Sequence, residues 1–393
     1  MSHKLISLNP DLRRLRDEGY EVAIVDAHLL LHHVPYINSK KEISYGALVA
    51  PLDLTGDNTI PPRTHVICFS GEFPCDKNGA PLSGIQHGSQ KNTLGGIEVH
   101  HSFSNKPPGG TGFKDYYEKM TSYVRVISNH AESMDNRVTA RSFRVMEPQE
   151  DESVFNYLDT NSGGAGINHI SSKLAGLRIG VVGLGGTGAY VLDLVSKCPV
   201  KEIHLYDADD FGSHNAFRSP GAVSIEKLRE HPRKVAYHYE AYSRMHRKIV
   251  PHDSYVDTSN VAELLLLDFV FICVDDGAAK KVIMEGLLGK GVPFVDVGMG
   301  VSVAGDVLIG NLRVTTATSE KKDHISKWVP FAAAVDNDYD KNIQIAELNA
   351  LNAALAVVKW KKLFGFYHDS GKEHNATYDI GANGLLNNEE NNV

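Results

Sequence analysis

The chain reads as an α/β protein: a doubly wound, mostly parallel sheet in its C-terminal half, preceded by a smaller α+β domain. Three observations carry that expectation. From Leu177 onward, apolar strand-like runs (LRIGVVG, EIHLYD, LDFVFICVD, VPFVDVG) alternate with helical stretches, as buried parallel strands joined by crossover helices do. The first of these strands runs directly into a glycine-rich loop and then a helix, IGVVGLGGTGAY. Before about Ala140 the pattern differs, with short β-like runs broken by turn-rich stretches and followed by one strong helix.

Length and charge bound the function classes. With 393 residues the chain can hold two domains, each with its own core. A net charge of −8 argues against a nucleic-acid partner, which requires a basic face. No apolar run approaches the roughly 18 residues that span a bilayer, and the opening MSHKLISLNPDLRRLRDEGYE is charged too early for a signal peptide. Four cysteines (Cys68, Cys75, Cys198 and Cys273) with no C-x-x-C pair point to reduced thiols, no zinc ribbon and a cytoplasmic location.

In order along the chain, residues 1–140 form the first domain. HVICFS (65–70) and GIEVHHSFS (96–104) are its strands, separated by turn signals in PLDLTGDNTIPPRT and PCDKNGAPLSG. The stretch GFKDYYEKMTSYVRVISNHAESM places Tyr116, Met120, Tyr123 and Ile127 on one helix face. His65, His87, His100 and His101 invite a metal reading, but adjacent strand residues point to opposite faces, so structural histidines are the expectation. Cys75, in the polar turn EFPCDKNG, reads as a loop cysteine open to solvent; Glu72 and Asp76 oppose its thiolate and Lys77 favours it. Residues 141–170, with the acidic MEPQEDES and a glycine-rich end, read as a linker. The second domain spans 171–365 and closes with the helix DKNIQIAELNALNAALAVVKWKKLFGF; residues 366–393 read as a tail with a frayed end.

The candidate site begins at Gly183, Gly185, Gly186 and Gly188. Glycines between a strand and a helix permit a tight turn and bring backbone N–H groups close to phosphate oxygens. Asp207 ends the next strand, where a carboxylate accepts from ribose hydroxyls. These features alone mean that a nucleotide binds, and an NAD-dependent oxidoreductase shows them too. In YDADDFGSHNAFR, Asp209, Asn215 and Arg218 follow Asp207 by two, eight and eleven residues; Lys234 and Asp275 come later. Singly, Arg218 and Lys234 read as surface cations, Asp209 as a solvent-facing carboxylate and Asp275 as a helix N-cap. Together they read as a site.

That run of residues, about 170–365, resembles the ThiF/MoeB and ubiquitin-activating adenylyltransferases, of the bacterial ubiquitin-like conjugation type. The resemblance implies a Rossmann-like adenylation domain using ATP and Mg²⁺, with Asp207 holding the ribose and the Asp209 carboxylate beside it. It implies that Asn215, Arg218 and Lys234 contact phosphates and that Asp275 holds Mg²⁺. The implied partners are a ubiquitin-like protein with a C-terminal glycine, a conjugating enzyme and a second copy of the chain. The apolar helix Ile343 to Trp360 offers surplus surface for that homodimer. The sequence departs from the family pattern in three respects. The arginine that reaches a neighbouring subunit's site has only Arg141 and Arg144 as candidates, zinc cysteines are missing, and no cysteine follows Cys273 to form a thioester. Cys198 and Cys273 look like core residues, which makes Cys75 the remaining internal acceptor, with the balance against it. Other readings stay open: adenylation of a peptide or tRNA-linked carboxylate, the oxidoreductase, or a scaffold with a dead nucleotide site.

Overall fold

The computed structural model describes residues 2–107, 109–110, 112–144, 153–164, 167–331 and 343–389. The acidic part of the expected linker (145–152), the start of the last expected helix (340–342) and the end of the tail (390–393) lie outside them. The chain divides into two compact units, Met1–Ile170 and Ser171–Val393.

The first unit is built on six antiparallel strands: β1 (Glu21–Val25), β2 (His28–Ile37), β3 (Ile43–Pro51), β4 (Val66–Ser70), β5 (Gln86–Leu94) and β6 (Ile97–Ser104). Their order is β1-β2-β3-β4-β6-β5. Two short helices precede them, α1 (Ser2–Leu8) and α2 (Pro10–Asp17), and α3 (Tyr116–Met134) follows. Asp115 starts α3 by accepting the Glu118 N–H. The four residues expected on its inner face, Tyr116, Met120, Tyr123 and Ile127, are all fully buried, in one core with Leu29, Leu31, Leu48, Phe69 and Phe103 of the sheet. The hairpin between β1 and β2 turns on Asp26 and Ala27, both at positive φ (49° and 57°). That is the backbone of a mirror-image two-residue turn, here without the usual glycine or asparagine.

The second unit contains β7 (Arg178–Val182), β8 (Glu202–Tyr206), β9 (Ile249–His252), β10 (Phe269–Ile272), β11 (Phe294–Ala304), β12 (Val307–Ala317), β13 (Asn375–Asp379) and β14 (Gly384–Asn388). Their order is β9-β8-β7-β10-β11-β12-β13-β14. The first five pair in parallel, while β12, β13 and β14 add antiparallel. Four of the seven pairings are thus parallel, as expected of a mostly parallel sheet, with an antiparallel extension whose last two strands come from residues 375–388 of the expected tail. Four helices of this unit carry residues of the candidate site or brace it: α4 (Gly186–Val195), α5 (Lys234–Tyr242), α6 (Gly277–Lys290) and α7 (Ala346–Leu363). The apolar face of α7 is spent inside the unit: Ala353, Ala356 and Trp360 are fully buried among residues of the central strands. Outside that face, Val358 is exposed and Leu351 and Leu355 are half-buried.

Strand order reverses between β7 and β10. In a doubly wound sheet the crevice beyond the carboxyl ends at that reversal is where ligands bind. No helix among the described residues is long and apolar enough to cross a membrane.

Candidate active site

At the carboxyl end of β7 the chain turns on Gly183, at φ +89°, where a Cβ would stand 2.9 Å from the Cys273 backbone. Its N–H donates to the Tyr206 carbonyl at 2.8 Å. Gly188 faces the Gly183 carbonyl and Gly186 faces the Asn349 amide, both too closely for any side chain, whereas space above Gly185 is open. Three glycines thus seat the loop against its neighbours, and the fourth leaves backbone approachable at the start of α4. Thr187 Oγ1 donates to Asn349 Oδ1 at 2.7 Å, tying α4 to α7.

Asp207, just past β8, braces this loop. Its Oδ2 accepts the Leu184 N–H at 2.7 Å and its Oδ1 the Asp209 N–H at 2.9 Å. Lys234, at the start of α5, is buried with its Nζ 2.5 Å from Asp209 Oδ2 and 3.5 Å from Asp207 Oδ2. Tyr255 donates its hydroxyl hydrogen bond to the other Asp209 oxygen. Burial opposes ionisation of Asp209, but the bonds from Lys234 and Tyr255 outweigh it and hold the carboxyl below its ordinary range. Asp209 is thus paired with Lys234, not simply solvated.

Asn215 sits in the short helix Ser213–Ala216. Its Oδ1 accepts from the Gly212 N–H at 3.0 Å, yet its buried Nδ2 finds no partner among the described residues. Arg218 donates its backbone N–H to the Asn215 carbonyl at 3.1 Å, and its own buried Nε is likewise unpartnered. An unsatisfied buried donor costs about 1–3 kcal/mol, so two of them three residues apart fit an acceptor-rich, anionic ligand such as a nucleotide's phosphates. Asp275 lies exposed beyond β10, and it is Asp276 that caps α6, by accepting the Ala279 N–H at 2.8 Å. The capping role considered for Asp275 belongs to its neighbour. No cluster of three metal-ligating side chains occurs among the described residues. Mg²⁺ does not require one, because it binds through one or two carboxylates plus substrate phosphates.

Several site features were not anticipated. Asp296, on β11 and fully buried, pairs with Lys280 of α6 at 2.9 Å and with Arg313 of β12 at 2.6 Å. A lone aspartate inside the apolar run VPFVDVG was the available signal. His238 of α5 is buried and hydrogen-bonds the Leu184 backbone; burial, with Lys234 nearby, pushes its pKa down to about 4. Burial and the Asp296 charge push the Cys273 thiol far above its ordinary range, so it is no nucleophile.

Within the first unit, Cys75 is a correction. It is 1% exposed, packed with Ile37 and Ala131, because backbone bridges to Ile37 and Pro81 turn it inward. Burial, then Asp76 and Glu72, raise its pKa. Arg141 is engaged locally, 3.0 Å from Glu18 and over the Tyr20 ring. The first unit has a cavity of about 610 Å³ at Tyr36, His100 and His101, and the second has one of about 330 Å³ at Gly291, Pro293 and His374, lined by no residue of the glycine loop.

A parallel sheet with a phosphate-type loop at its strand reversal, an acidic side chain bracing that loop and orphaned donors beside it define a nucleotide-using α/β enzyme. Comparison with known proteins gives the family: residues 164–358 are a ThiF family domain. Those residues thus form an adenylyltransferase domain of the ThiF type, acting on a carboxylate. Residues 10–160 match a domain of unknown function, DUF6791. No curated protein sequence matches significantly. Similar solved structures include E. coli MccB with MccA-N7isoASN (13% identity, 60% of this chain and 73% of that one, TM-score 0.49). E. coli MccB with ATP is 16% identical over 58% of this chain and 68% of that one (TM-score 0.46). PaaA is 14% identical over 57% of this chain and 76% of that one (TM-score 0.43).

Proposed function

We propose that the second unit adenylates the C-terminal carboxylate of a ubiquitin-like protein, taking ATP and Mg²⁺ and releasing pyrophosphate. The observation that carries this reading is the pair of orphaned buried donors, Asn215 Nδ2 and Arg218 Nε, in the segment that follows Asp207. They are placed for phosphate oxygens. The open backbone at Gly185 faces the same ligand, with Gly183, Gly186 and Gly188 shaping the loop. Asp207 has lone pairs beyond the two its backbone partners use, and these take the ribose hydroxyls. Lys234 has a third ammonium proton for phosphate, and Asp209 fixes its position. Asp275 is the Mg²⁺ carboxylate; the metal neutralises charge on the phosphate oxygens and the departing pyrophosphate. Because a carboxylate is a weak nucleophile, Arg218 and Lys234 act mainly by stabilising charge and by positioning.

The wider assignment follows from the same reading. The protein works in the bacterial cytoplasm as a homodimer and hands the activated carboxylate to a conjugating enzyme or another acceptor. The tip of the β11–β12 hairpin, with Val303, Val307, Leu308 and Ile309 exposed, supports the dimer better than α7 does. The test is exchange of labelled pyrophosphate into ATP. It should require Mg²⁺ and a ubiquitin-like protein ending in glycine, and Arg218→Ala or Asp275→Ala should cut it by about 10²–10³. Exchange driven equally by short peptides would move the substrate to a peptide carboxylate, and undiminished exchange in both variants would remove the site assignment. ATP with Mg²⁺, and not NAD, should raise the melting temperature.

A further inference from the structure

The burial of Cys75 leaves open what the first unit does chemically. A nucleophile needs access and a base within hydrogen-bond reach. Cys75 has neither, but a pair on β5 and β6 has both. Ser89 is exposed, and its Oγ lies 2.9 Å from His101 Nδ1. Both line the cavity of about 610 Å³, together with Tyr36, Gln90, Lys91 and His100, a volume in the range of small-ligand sites.

The strand sets His100 and His101 on opposite faces, each meeting a residue two positions away, Glu98 and Phe103, and the pairing of β5 beside them is irregular. Between the pairings Ser89↔His101 and Asn92↔Val99, Gln90 and Lys91 of β5 stand opposite the single residue His100. This is a β-bulge on an edge strand, a device that re-aims side chains. The two histidines then differ in role. His100 Nδ1 accepts from the Gly71 N–H at 3.1 Å, holding that loop, and its Nε2 faces Glu98 of the same strand at 2.9 Å, so both nitrogens are engaged. The His101 ring is fixed by Phe73, edge-on at 5.2 Å, and by stacking on Phe103 at 6.2 Å. Burial, then His100, lower its pKa and keep it the neutral base near pH 7.

We propose that Ser89 and His101 form a nucleophile–base pair that hydrolyses an activated carboxyl group, an ester or thioester, bound in this cavity. Ser89 Oγ bonds to the carbonyl carbon while its proton passes to His101 Nδ1. The bond from that carbon to the leaving oxygen or sulfur breaks, and His101 returns the proton to the leaving group. Water then bonds to the acyl carbon, gives its proton through His101 to Ser89 Oγ, and the free acid departs. The Gln90 amide and the Lys91 ammonium on the same rim are donors for the developing oxyanion. The site is separate from the adenylation reading and stands without it.

The sheet supplies its own control, because His87 and Ser102 are also hydrogen-bonded, at 3.2 Å, but neither lines the cavity. The full chain is treated with a fluorophosphonate, which bonds to activated serine oxygens with loss of fluoride, and separately with p-nitrophenyl acetate. The label should map to Ser89 by mass spectrometry, with a stoichiometric burst of p-nitrophenol. Ser89→Ala should abolish both, His101→Gln should slow both at least tenfold, and Ser102→Ala should change neither. Because Ser89 is exposed, Ser89→Ala keeps the fold and that arm decides by itself. An unlabelled Ser89, or a rate unchanged in His101→Gln, overturns the proposal. Thermal stabilisation by ATP and Mg²⁺, measured on the same variants, reports on the adenylation reading independently.

Discussion

His238 should make the stability of the second unit depend on pH. The side chain is 1% exposed, held near Phe211 and Tyr242, and bonded to the Leu184 backbone in the glycine loop. Burial, then the Lys234 charge, lower its pKa from 6.5 to about 4. Since the folded value lies below the unfolded one, the unfolded chain takes up the proton first. The stabilisation is therefore fully present above pH 6.5 and is lost as pH falls towards 4. A shift of this size corresponds to about 3 kcal/mol in full, and about 2 kcal/mol of it is lost by pH 5.

The assay has a built-in reporter. Both tryptophans of the chain, Trp328 and Trp360, lie in the second unit, so their emission follows its unfolding alone. Urea titrations at pH 7.5 and pH 5 would be run on the wild type and on His238→Gln, which stays neutral throughout. Other buried histidines, His246 and His374 among them, are shifted the same way. The informative quantity is thus the difference between the two proteins. The wild type should lose about 2 kcal/mol more than the variant over that interval. Equal losses would refute the claim that His238 is held neutral beneath the loop.

Two further outcomes concern the same unit. Asp296→Ala leaves Lys280 and Arg313 buried without their counter-charge and should destabilise the unit by about 3–5 kcal/mol in the tryptophan assay, whereas Lys197→Ala, at a partly exposed helix pair with Asp193, should cost under about 1 kcal/mol. If the hairpin tip is the dimer contact, light scattering should give a dimer mass for the wild type and a monomer mass for Ile309→Asp; a monomeric wild type would remove the homodimer.

How much of this could be read beforehand depended on whether a residue's reason for being there is local. The glycine loop was legible because Gly183 must be left-handed and Gly186 and Gly188 must lack a Cβ, and backbone demands of that kind appear directly in the residue types. The strands β7, β8, β10 and β11 were legible because burial on both faces makes them continuous apolar runs. By contrast, β1 and β2 join through Asp26 and Ala27 without a glycine, and β12 to β14 add antiparallel, so no parallel crossover pattern marks them. Cys75 misled because its neighbours are polar, while the pairing that buries it lies with Ile37, far away in sequence. The partners of Asp296 and His238 are likewise set by tertiary packing, and no local spacing names them.

A net charge of −8 looks unpromising for the triphosphate binding proposed above, but the relevant field is local. Charges separated by more than about 8–10 Å are largely screened at physiological salt, so the crevice is governed by the groups within it. There Lys234 is already matched by Asp207 and Asp209, and Lys280 and Arg313 are matched by Asp296. Each buried cation has a carboxylate that fixes its position, leaving it little freedom to chase a ligand. Asn215 and Arg218 are different, since each keeps a buried N–H without an acceptor. These two carry an unmet demand that bound phosphate oxygens would satisfy. On the proposed reading, the cost of these two orphaned donors would be recovered when phosphate binds. For that reason Arg218→Ala should weaken ATP-dependent stabilisation of the second unit while leaving the ligand-free protein as stable as the wild type, or more so. A variant less stable without ATP would mean that Arg218 is a structural residue and that the donors are satisfied within the protein.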